Sequence, residues 1–268
     1  MSSNANTKKT EFKKSMVVLN SMVIRNIKNQ YRRSVLGVVW TVLNPLLNML
    51  VMAFVFSNIF NRGNILMDYP VYILTGNIVF SLMRMSTTNS LTSIANNYDL
   101  LNKTKIPQII FPLSNNFSAV VNFGFSLIAL LIVMLVRIPK GVRFHATMPM
   151  IIFPWLPSIL LFCIGLSLIL CTIYVRFRDI KHIYSVVLTL WMYMTPILYA
   201  ANFLGNDVLT VIKFNPMYHY LTYFRNVVAL GVVPSLMDHL ICYGFGICFF
   251  LIGYVVFNSK RKTFILYI

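Results

Sequence analysis

The sequence predicts an all-α, polytopic membrane protein with six transmembrane helices, an N-terminal amphipathic interfacial helix and both termini in the cytoplasm. Three observations predict this fold: long uncharged runs, few charged residues overall, and an uneven distribution of basic residues among the connecting segments. Of the 268 residues, 58% are hydrophobic and 11% are charged, whereas soluble proteins have about 25% charged residues. The runs without any Lys, Arg, Asp or Glu are 35–60, 106–136, 146–175, 183–206 and 240–259.

The N-terminal segment, residues 1–34, is predicted to be a cytoplasmic tail followed by the amphipathic helix. Apolar residues recur every three or four positions, which places them on one face of a helix. They are Met16, Leu19, Val23, Ile27 and Tyr31. Such a helix is expected to lie in the inner headgroup layer and to lead into the first span. The alternative is a plain solvated tail.

The transmembrane domain is predicted to cover residues 35–260, followed by a short cytoplasmic tail, 261–268. A transmembrane helix needs about 20 mostly apolar residues, and it must satisfy its own backbone hydrogen bonds within the lipid. The predicted spans are 35–60, 69–94, 108–136, 149–175, 183–201 and 239–258.

Two regions of this domain are less regular. Arg84 interrupts the second span, and residues 85–98 are rich in Ser, Thr and Asn. We therefore expect the second half of that span to face protein or water. Residues 201–238 are too many for a tight turn, and short interfacial or re-entrant helices are predicted there.

The orientation follows from the positions of Lys and Arg, which are enriched in cytoplasmic segments. Sixteen of the 23 Lys and Arg residues lie in segments on the same side as the N-terminus. Both termini are therefore predicted to be cytoplasmic. The net charge of +17 is explained by this asymmetry and by attraction to anionic lipids. Nucleic acid is not expected as a partner, because there is no basic soluble domain to bind it.

The residues of common catalytic and metal sites are scattered along the chain. No G-x-x-x-x-G-K-[ST] phosphate loop occurs, and the six acidic residues lie in or beside predicted loops. Neither a catalytic site nor a metal site is predicted, and ion-coupled transport is disfavoured because it commonly uses carboxylates within the membrane. Any energy for transport is expected to come from another chain. The four cysteines fall within predicted spans, where cysteine usually behaves as a small hydrophobic residue.

The segment between the second and third spans, residues 97–107, begins with Asn and Asp positions and ends at Pro107. These signals predict a short helix between two spans. A helix held in this way could transmit a push from a soluble partner, although an ordinary basic loop is the alternative. Residues 174–183 form a second short connection, rich in Arg, Asp and Lys, between the fourth and fifth spans.

Four motifs, in this order, resemble the membrane subunit of type-2 ABC exporters for polysaccharides and polyol phosphates, which move O-antigen, capsule and teichoic acid chains. The first is YRRSVLGVVW at 31–40, followed by LNP at 43–45. The second is the Lys-x-x-x-Pro pattern within 101–112. The third is RFRDI at 176–180 with TPILY at 195–199, and the fourth is NPM at 215–217 with Arg225 further on. The resemblance covers about residues 10–260.

This resemblance implies a homodimer in the bacterial cytoplasmic membrane that works with two copies of a separate ABC ATPase. ATP and magnesium would bind to the ATPase, and this chain would hold no cofactor. The channel would form at the dimer interface, largely from the first and fifth spans. The residues implied to couple the chain to the ATPase are Leu100, Leu101, Lys103, Thr104, Lys105, Ile106, Pro107, Arg176, Arg178 and Asp179.

A candidate substrate path can be read from the residue types in those spans. Trp40, Asn44 and Asn48 are spaced four residues apart and share one face of a helix. Aromatic faces stack on sugar rings, and carboxamides bond to hydroxyl groups, so this stripe suits a lipid-linked glycan. The fifth span adds Trp191, Tyr193 and Tyr199. Ordinary helix packing is the alternative for each of these residues.

Arg84 completes the candidate path. Its guanidinium could attract a phosphate on the substrate, or it could extend to the inner membrane surface. Two competing functions remain open from the sequence. One is a type-2 ABC permease for drugs or small lipids. The other is a membrane-embedded glycosyltransferase, which the dispersed acidic residues disfavour.

Overall fold

The computed structural model describes residues 2–31, 37, 39–56, 68–103, 106–199 and 205–264, and it has only helices and turns in these ranges. This confirms the all-α class. The α-helices are α1 Ser2–Tyr31, α2 Val39–Phe56, α3 Tyr69–Leu91, α4 Tyr98–Lys103, α5 Ile110–Arg137, α6 Trp155–Arg176, α7 Ile180–Tyr193, α8 Asn206–Lys213, α9 Pro216–Arg225 and α10 Leu236–Lys260.

Three helical stretches in the described ranges are long and apolar enough to cross a membrane, judged by length and composition. They are Ile110–Lys140, Met148–Arg176 and Leu236–Lys260, and they coincide with the third, fourth and sixth predicted spans. A shorter apolar helix, Val39–Met52, lies within α2. The remainder of the predicted first span, at 35, 36, 38 and 57–60, lies outside the described residues.

The predicted fifth span, 183–201, differs from the structure. Helix α7 has only 14 residues and ends at Tyr193, after which residues 194–199 form turns. At 1.5 Å per residue such a helix is about 21 Å long, less than the roughly 30 Å of a hydrocarbon core. One cause is Pro196, which has no N–H to continue a helical ladder.

Helices α6 and α10 run parallel and very close together. Gly165 faces the backbone of Phe249, and Gly253 faces the backbone of Gly165, so that a Cβ at either glycine would collide with main-chain atoms. Small residues allow this kind of close approach between membrane helices. The pair forms one wall of the bundle, and α3 packs between α5 and α6.

A cluster of aromatic rings fills the core beside these helices. The ring centres of Trp155 and Phe224 lie 4.9 Å apart, and Phe123 stacks on Trp155 at 5.5 Å. Trp155 also donates a hydrogen bond from Nε1 to the carbonyl of Tyr220, at 2.8 Å. These contacts hold α9 against α5 and α6. Short helices were predicted within residues 201–238, and α8 and α9 form there; their interfacial or re-entrant placement stays a prediction.

The basic connecting segments collect at one end of the bundle, which we call the α4 end. Phe264, after α10, packs in one cluster with Ile94 before α4 and Val175 near the end of α6. At the same end, Met22 of α1 packs with Ile110 and Phe111 at the start of α5. The predicted N-terminal helix therefore contacts the bundle through an apolar face. Its position in a headgroup layer stays a prediction.

At the opposite end, a partly buried ion pair joins α5 to the residue before α3. Arg137, at the end of α5, binds Asp68, before α3, through two nitrogens, with Nη2 2.6 Å from Oδ2 and Nε 3.0 Å from Oδ1. Within the described ranges this is the one ion pair found. A forked arrangement of this kind fixes geometry as well as charge.

Candidate functional site: two polar clefts and a coupling surface

The predicted substrate-path residues of α2 and α3 line one open cleft between α1, α2, α3 and α5, which we call the central cleft. Trp40, Asn44 and Asn48 reach it from α2, and Asn77 and Arg84 reach it from α3. It measures about 220 Å³ and is also lined by residues of α1 and α5. The four-residue spacing read from the sequence therefore does bring these side chains onto one surface.

The asparagines of this stripe, Asn44 and Asn48, lie on the exposed side of α2, whereas Thr41 and Met49 are buried. Leu50, Val51 and Phe54 of the same helix are also exposed, and Val51 shares the face of Asn44 and Asn48, because it follows them by seven and three residues. Pro45 lies inside α2 and has no N–H to donate to the carbonyl of Thr41 one turn earlier. Helix α2 thus exposes carboxamides and apolar side chains together.

Arg84 lies at the edge of the central cleft with its guanidinium exposed. Its Cζ atom is 5.3 Å from the centre of the Phe80 ring, and Nη2 is 3.4 Å from the sulfur of Met192. None of the described residues that line the cleft is acidic. The cleft can therefore hydrogen-bond to neutral hydroxyl groups and attract an anion. A contact of Arg84 with a substrate phosphate stays a prediction, as does its alternative, extension to the membrane surface.

The aromatic residues predicted in the fifth span do not line the central cleft. Trp191 donates from Nε1 to Oδ1 of Asn215 at 2.7 Å and meets the Phe162 ring edge-on at 6.2 Å. Tyr193 is exposed, and the hydroxyl of Tyr199 donates to the Tyr193 carbonyl at 2.8 Å. These contacts assign a packing role to Trp191. A substrate contact for any of these residues stays a prediction.

Asn215 explains the NPM motif. It is the N-cap of α9, where its side chain accepts from the backbone N–H of Met217 at 3.0 Å. It also donates from Nδ2 to Oγ1 of Thr195 at 2.9 Å. Because it bonds to Trp191 and Thr195 together, Asn215 ties the start of α9 to the point where α7 ends.

Arg225, which follows the NPM motif, has a structural role that its sequence context does not predict. The side chain is buried. It donates to three main-chain carbonyls, those of Pro196 at 2.7 Å, Tyr72 at 3.1 Å and Ile197 at 3.2 Å. The signal in the sequence for this buried position was a single arginine in a stretch that is otherwise poor in charged residues. It satisfies the carbonyls that the end of α7 leaves without helical partners.

The predicted coupling helix is present as α4, preceded by the 3₁₀ turn Ala95–Asn97. Leu100, Leu101 and Ile106 pack on the cluster formed by α1 and the start of α5. Lys103 and Pro107 are exposed. Thr104 and Lys105, predicted to belong to the same contact, lie outside the described residues. The helix is therefore seated on its apolar side and presents a basic side outwards.

The second predicted contact, residues 176–181, joins α6 to α7 at the same end. Arg176, Arg178 and Asp179 are exposed. Backbone bonds hold the turn: the N–H of Lys181 donates to the carbonyl of Arg178 at 3.3 Å, and the N–H of His182 donates to that of Asp179 at 3.0 Å. Both predicted contacts thus lie at the α4 end. The role of these two contacts in coupling to an ATPase stays a prediction.

Comparison with known proteins agrees with the resemblance read from the motifs. The model of the ABC-2 type transporter family matches residues 18–229. An O-antigen export system permease protein, RfbA of Myxococcus xanthus, is 28% identical over 92% of this chain and 94% of its own length. The polysialic acid transport protein KpsM of Escherichia coli is 20% identical over 94% of this chain and 96% of its own length. A capsule polysaccharide export inner-membrane protein, CtrC of Neisseria meningitidis, is 23% identical over 81% of this chain and 82% of its own length.

The family model matches most of this chain, and the described residues include apolar helices long enough to span a membrane. This chain is therefore an integral membrane protein that belongs to the ABC-2 type transporter family.

Proposed function

We propose that this chain is the membrane-spanning permease subunit of an ABC exporter, and that it moves a lipid-linked polysaccharide across the bacterial cytoplasmic membrane. The observation that carries the proposal is the central cleft. It places Trp40, two asparagines and Arg84 on one surface, and none of the described residues that line it is acidic. Such a surface suits a hydroxyl-rich chain. The relatives' names, which refer to O-antigen, polysialic acid and capsule polysaccharide, favour this function over export of drugs or small lipids.

The proposed arrangement has six spans, with both termini and the α4 end in the cytoplasm. The basic segments assigned to the cytoplasm by their charge gather at this end, which supports the assignment. Helix α1 would then lie at the inner membrane surface. The short helices α8 and α9 would close the outer side, where α7 is too short to reach the surface on its own.

The proposed complex contains two copies of this chain and two copies of an ABC ATPase, which binds ATP and magnesium. The exposed apolar faces of α2, with Leu50 and Phe54, and of α7, with Val186 and Leu190, support a contact between two permease subunits. Exposed Lys103, together with exposed Arg176, Arg178 and Asp179, supports an ATPase contact at the α4 end. No reaction is assigned to this chain itself.

The test is to delete the gene in the host and to measure polymer on the cell surface and inside the cell. Without the chain, polymer should accumulate inside, and the wild-type gene should return it to the surface. Antibodies or a lectin that recognise the polymer provide the measurement, before and after permeabilisation. Normal surface polymer in the deletion strain, together with increased drug sensitivity, would favour the drug permease instead.

A further inference from the structure

A second polar cleft, which we call the vestibule, opens at the α4 end between α1, the second half of α3 and the start of α5. It measures about 780 Å³. Its walls carry Arg25 and Asn26 from α1, Asn89 and Asn96 from the α3 side, Asn115 from α5, and Lys181 from the start of α7. It lies outside the residues that the sequence analysis assigned to the substrate path.

The second half of α3 has two polar faces, and only one of them is used for packing. Ser90 accepts from Nδ2 of Asn116 at 3.1 Å inside the bundle, and the buried Thr87 accepts from the Tyr184 hydroxyl at 2.7 Å. On the other side, Thr88, Asn89 and Thr92 line the vestibule. Exposing these groups to hydrocarbon would leave hydroxyls and carboxamides without partners at a cost of several kcal/mol each. This face therefore adjoins water or a polar ligand.

The vestibule carries positive charge that is not balanced locally. None of the described residues lining it is acidic. Arg25 is held in place because its Nη2 donates to Oδ1 of Asn97 at 2.7 Å. A guanidinium has five N–H donors, so other donors of Arg25 remain for a ligand. Lys181 faces the same space from α7. A concave surface with charge of one sign attracts ligands of the opposite charge.

The vestibule and the central cleft share part of their walls. Gln30 and Met85 line both of them. Gln30 accepts at Oε1 from Nδ2 of Asn122 at 3.3 Å, which links α1 to α5 at the junction. A polar surface thus runs from the α4 end to the Trp40 stripe, with cationic side chains near its start and Arg84 further in.

From these observations we propose that the vestibule is a binding site for the sugar-phosphate end of the substrate, in which Arg25 and Lys181 attract the phosphate and the asparagines bond to sugar hydroxyls. The bound group would then pass Gln30 to reach the central cleft. This inference rests on the proposed function, because it takes a polysaccharide as the substrate. A phospholipid headgroup offers the same phosphate chemistry without the sugar, so the experiment includes both.

The experiment measures binding to the complete permease–ATPase complex in nanodiscs without ATP. The probe is a fluorescent lipid that carries a phosphate-linked disaccharide, and phosphatidylglycerol is the competitor. The double variant Arg25→Gln/Lys181→Gln should bind the probe about tenfold more weakly, because two charge-assisted contacts are lost. Asn89→Asp, which keeps the size of the side chain, should also weaken binding by placing a negative charge beside the phosphate. Lys28→Gln is the matched control, since Lys28 is exposed three residues further along α1 and does not line the vestibule.

Several results would overturn the inference. One is unchanged probe binding in both the double variant and Asn89→Asp, with the wild-type complex binding normally. Displacement of the probe by phosphatidylglycerol at equal concentration would show a general anionic lipid site. If the double variant still supports normal surface polymer in cells, the vestibule is not needed for loading, while the proposed export function stands. The proposed export function fails on a different result, which is normal surface polymer in the deletion strain.

Discussion

The guanidinium of Arg225 lies over the ring of Tyr72, with Cζ 3.5 Å from the ring centre. The two residues are far apart in the chain, and their contact joins α9 to α3. The same guanidinium binds carbonyls of the 194–199 turn, so that three segments meet at one buried cation. A cation–π contact is strongest where both groups are shielded from water, as they are here.

Replacing Arg225 by Met should destabilise the protein by about 3 kcal/mol or more, because several buried carbonyls lose their donors at about 1–3 kcal/mol each. Thermal unfolding of the purified permease in detergent, followed by tryptophan fluorescence, provides the measurement. Arg225→Lys should recover only part of the loss, since an ammonium group lacks the planar fork of a guanidinium. Lys213→Met is the control, because Lys213 is exposed on α8. An unfolding temperature equal to wild type in Arg225→Met would refute this role.

Substituting Gly165 by Ala should strongly destabilise the α6–α10 pair. The new methyl group would meet the main chain of Phe249, and main-chain atoms cannot rotate away as a flexible side chain can. Overpacking typically costs about 1–3 kcal/mol. Gly244→Ala provides the matched control in α10, because a Cβ there meets nothing within 4 Å and alanine favours a helix by about 1 kcal/mol. The prediction fails if both variants unfold at the same denaturant concentration.

In the central cleft, the double variant Asn44→Leu/Asn48→Leu should lower polymer export while leaving the fold intact. Both side chains are exposed to the cleft, so that their removal leaves no buried partner unsatisfied and the free energy of unfolding should change by less than about 1 kcal/mol. Surface polymer per cell, normalised to permease content, is the quantity to measure. Asn20→Leu, an exposed asparagine of α1 outside both clefts, should export normally. Normal export in the double variant would remove these residues from the substrate path.

At the coupling surface, Lys103→Glu combined with Pro107→Ala should reduce export severalfold without unfolding the permease. Both residues are exposed, and Lys103 ends α4, so the changes alter charge and stiffness at a surface where substitutions usually shift stability by less than about 0.5 kcal/mol. The measurement is substrate-dependent ATP hydrolysis by the reconstituted complex. Lys140→Glu, exposed at the opposite end, should hydrolyse ATP like wild type. If both variants show the same substrate-dependent ATP hydrolysis, α4 is not part of the coupling surface.

Sequence reasoning located the α2 stripe correctly because helical spacing is a local property. Trp40, Asn44 and Asn48 needed only the four-residue period to be placed on one face. The spacing alone could not show that Asn77 and Arg84 of α3 line the same cleft, since this depends on how α2 and α3 pack together. The vestibule was missed for the same reason: its Asn, Thr and Ser residues were recognised as polar, but their partner across the space, α1, was assigned to the membrane surface.

The fifth span shows the opposite case, where a local pattern suggested the wrong length. Residues 183–206 are uncharged and apolar, and composition alone extends a helix through them. The structure ends α7 at Tyr193 because a proline interrupts the ladder and Arg225 and Asn215 bind the segment that follows. Those partners come from α9 and its N-cap, beyond the range of any local rule.

The sequence by itself determined the all-α membrane class, the third, fourth and sixth apolar spans, and the basic segments that gather at the α4 end. These properties add up residue by residue, because transfer into lipid and attraction to charged headgroups depend mainly on composition. The tertiary structure alone decided which polar residues share a cleft, where α7 stops and why Arg225 is buried. The contact of Arg225 with the Tyr72 carbonyl spans 153 positions in the chain, and only packing brings such groups together.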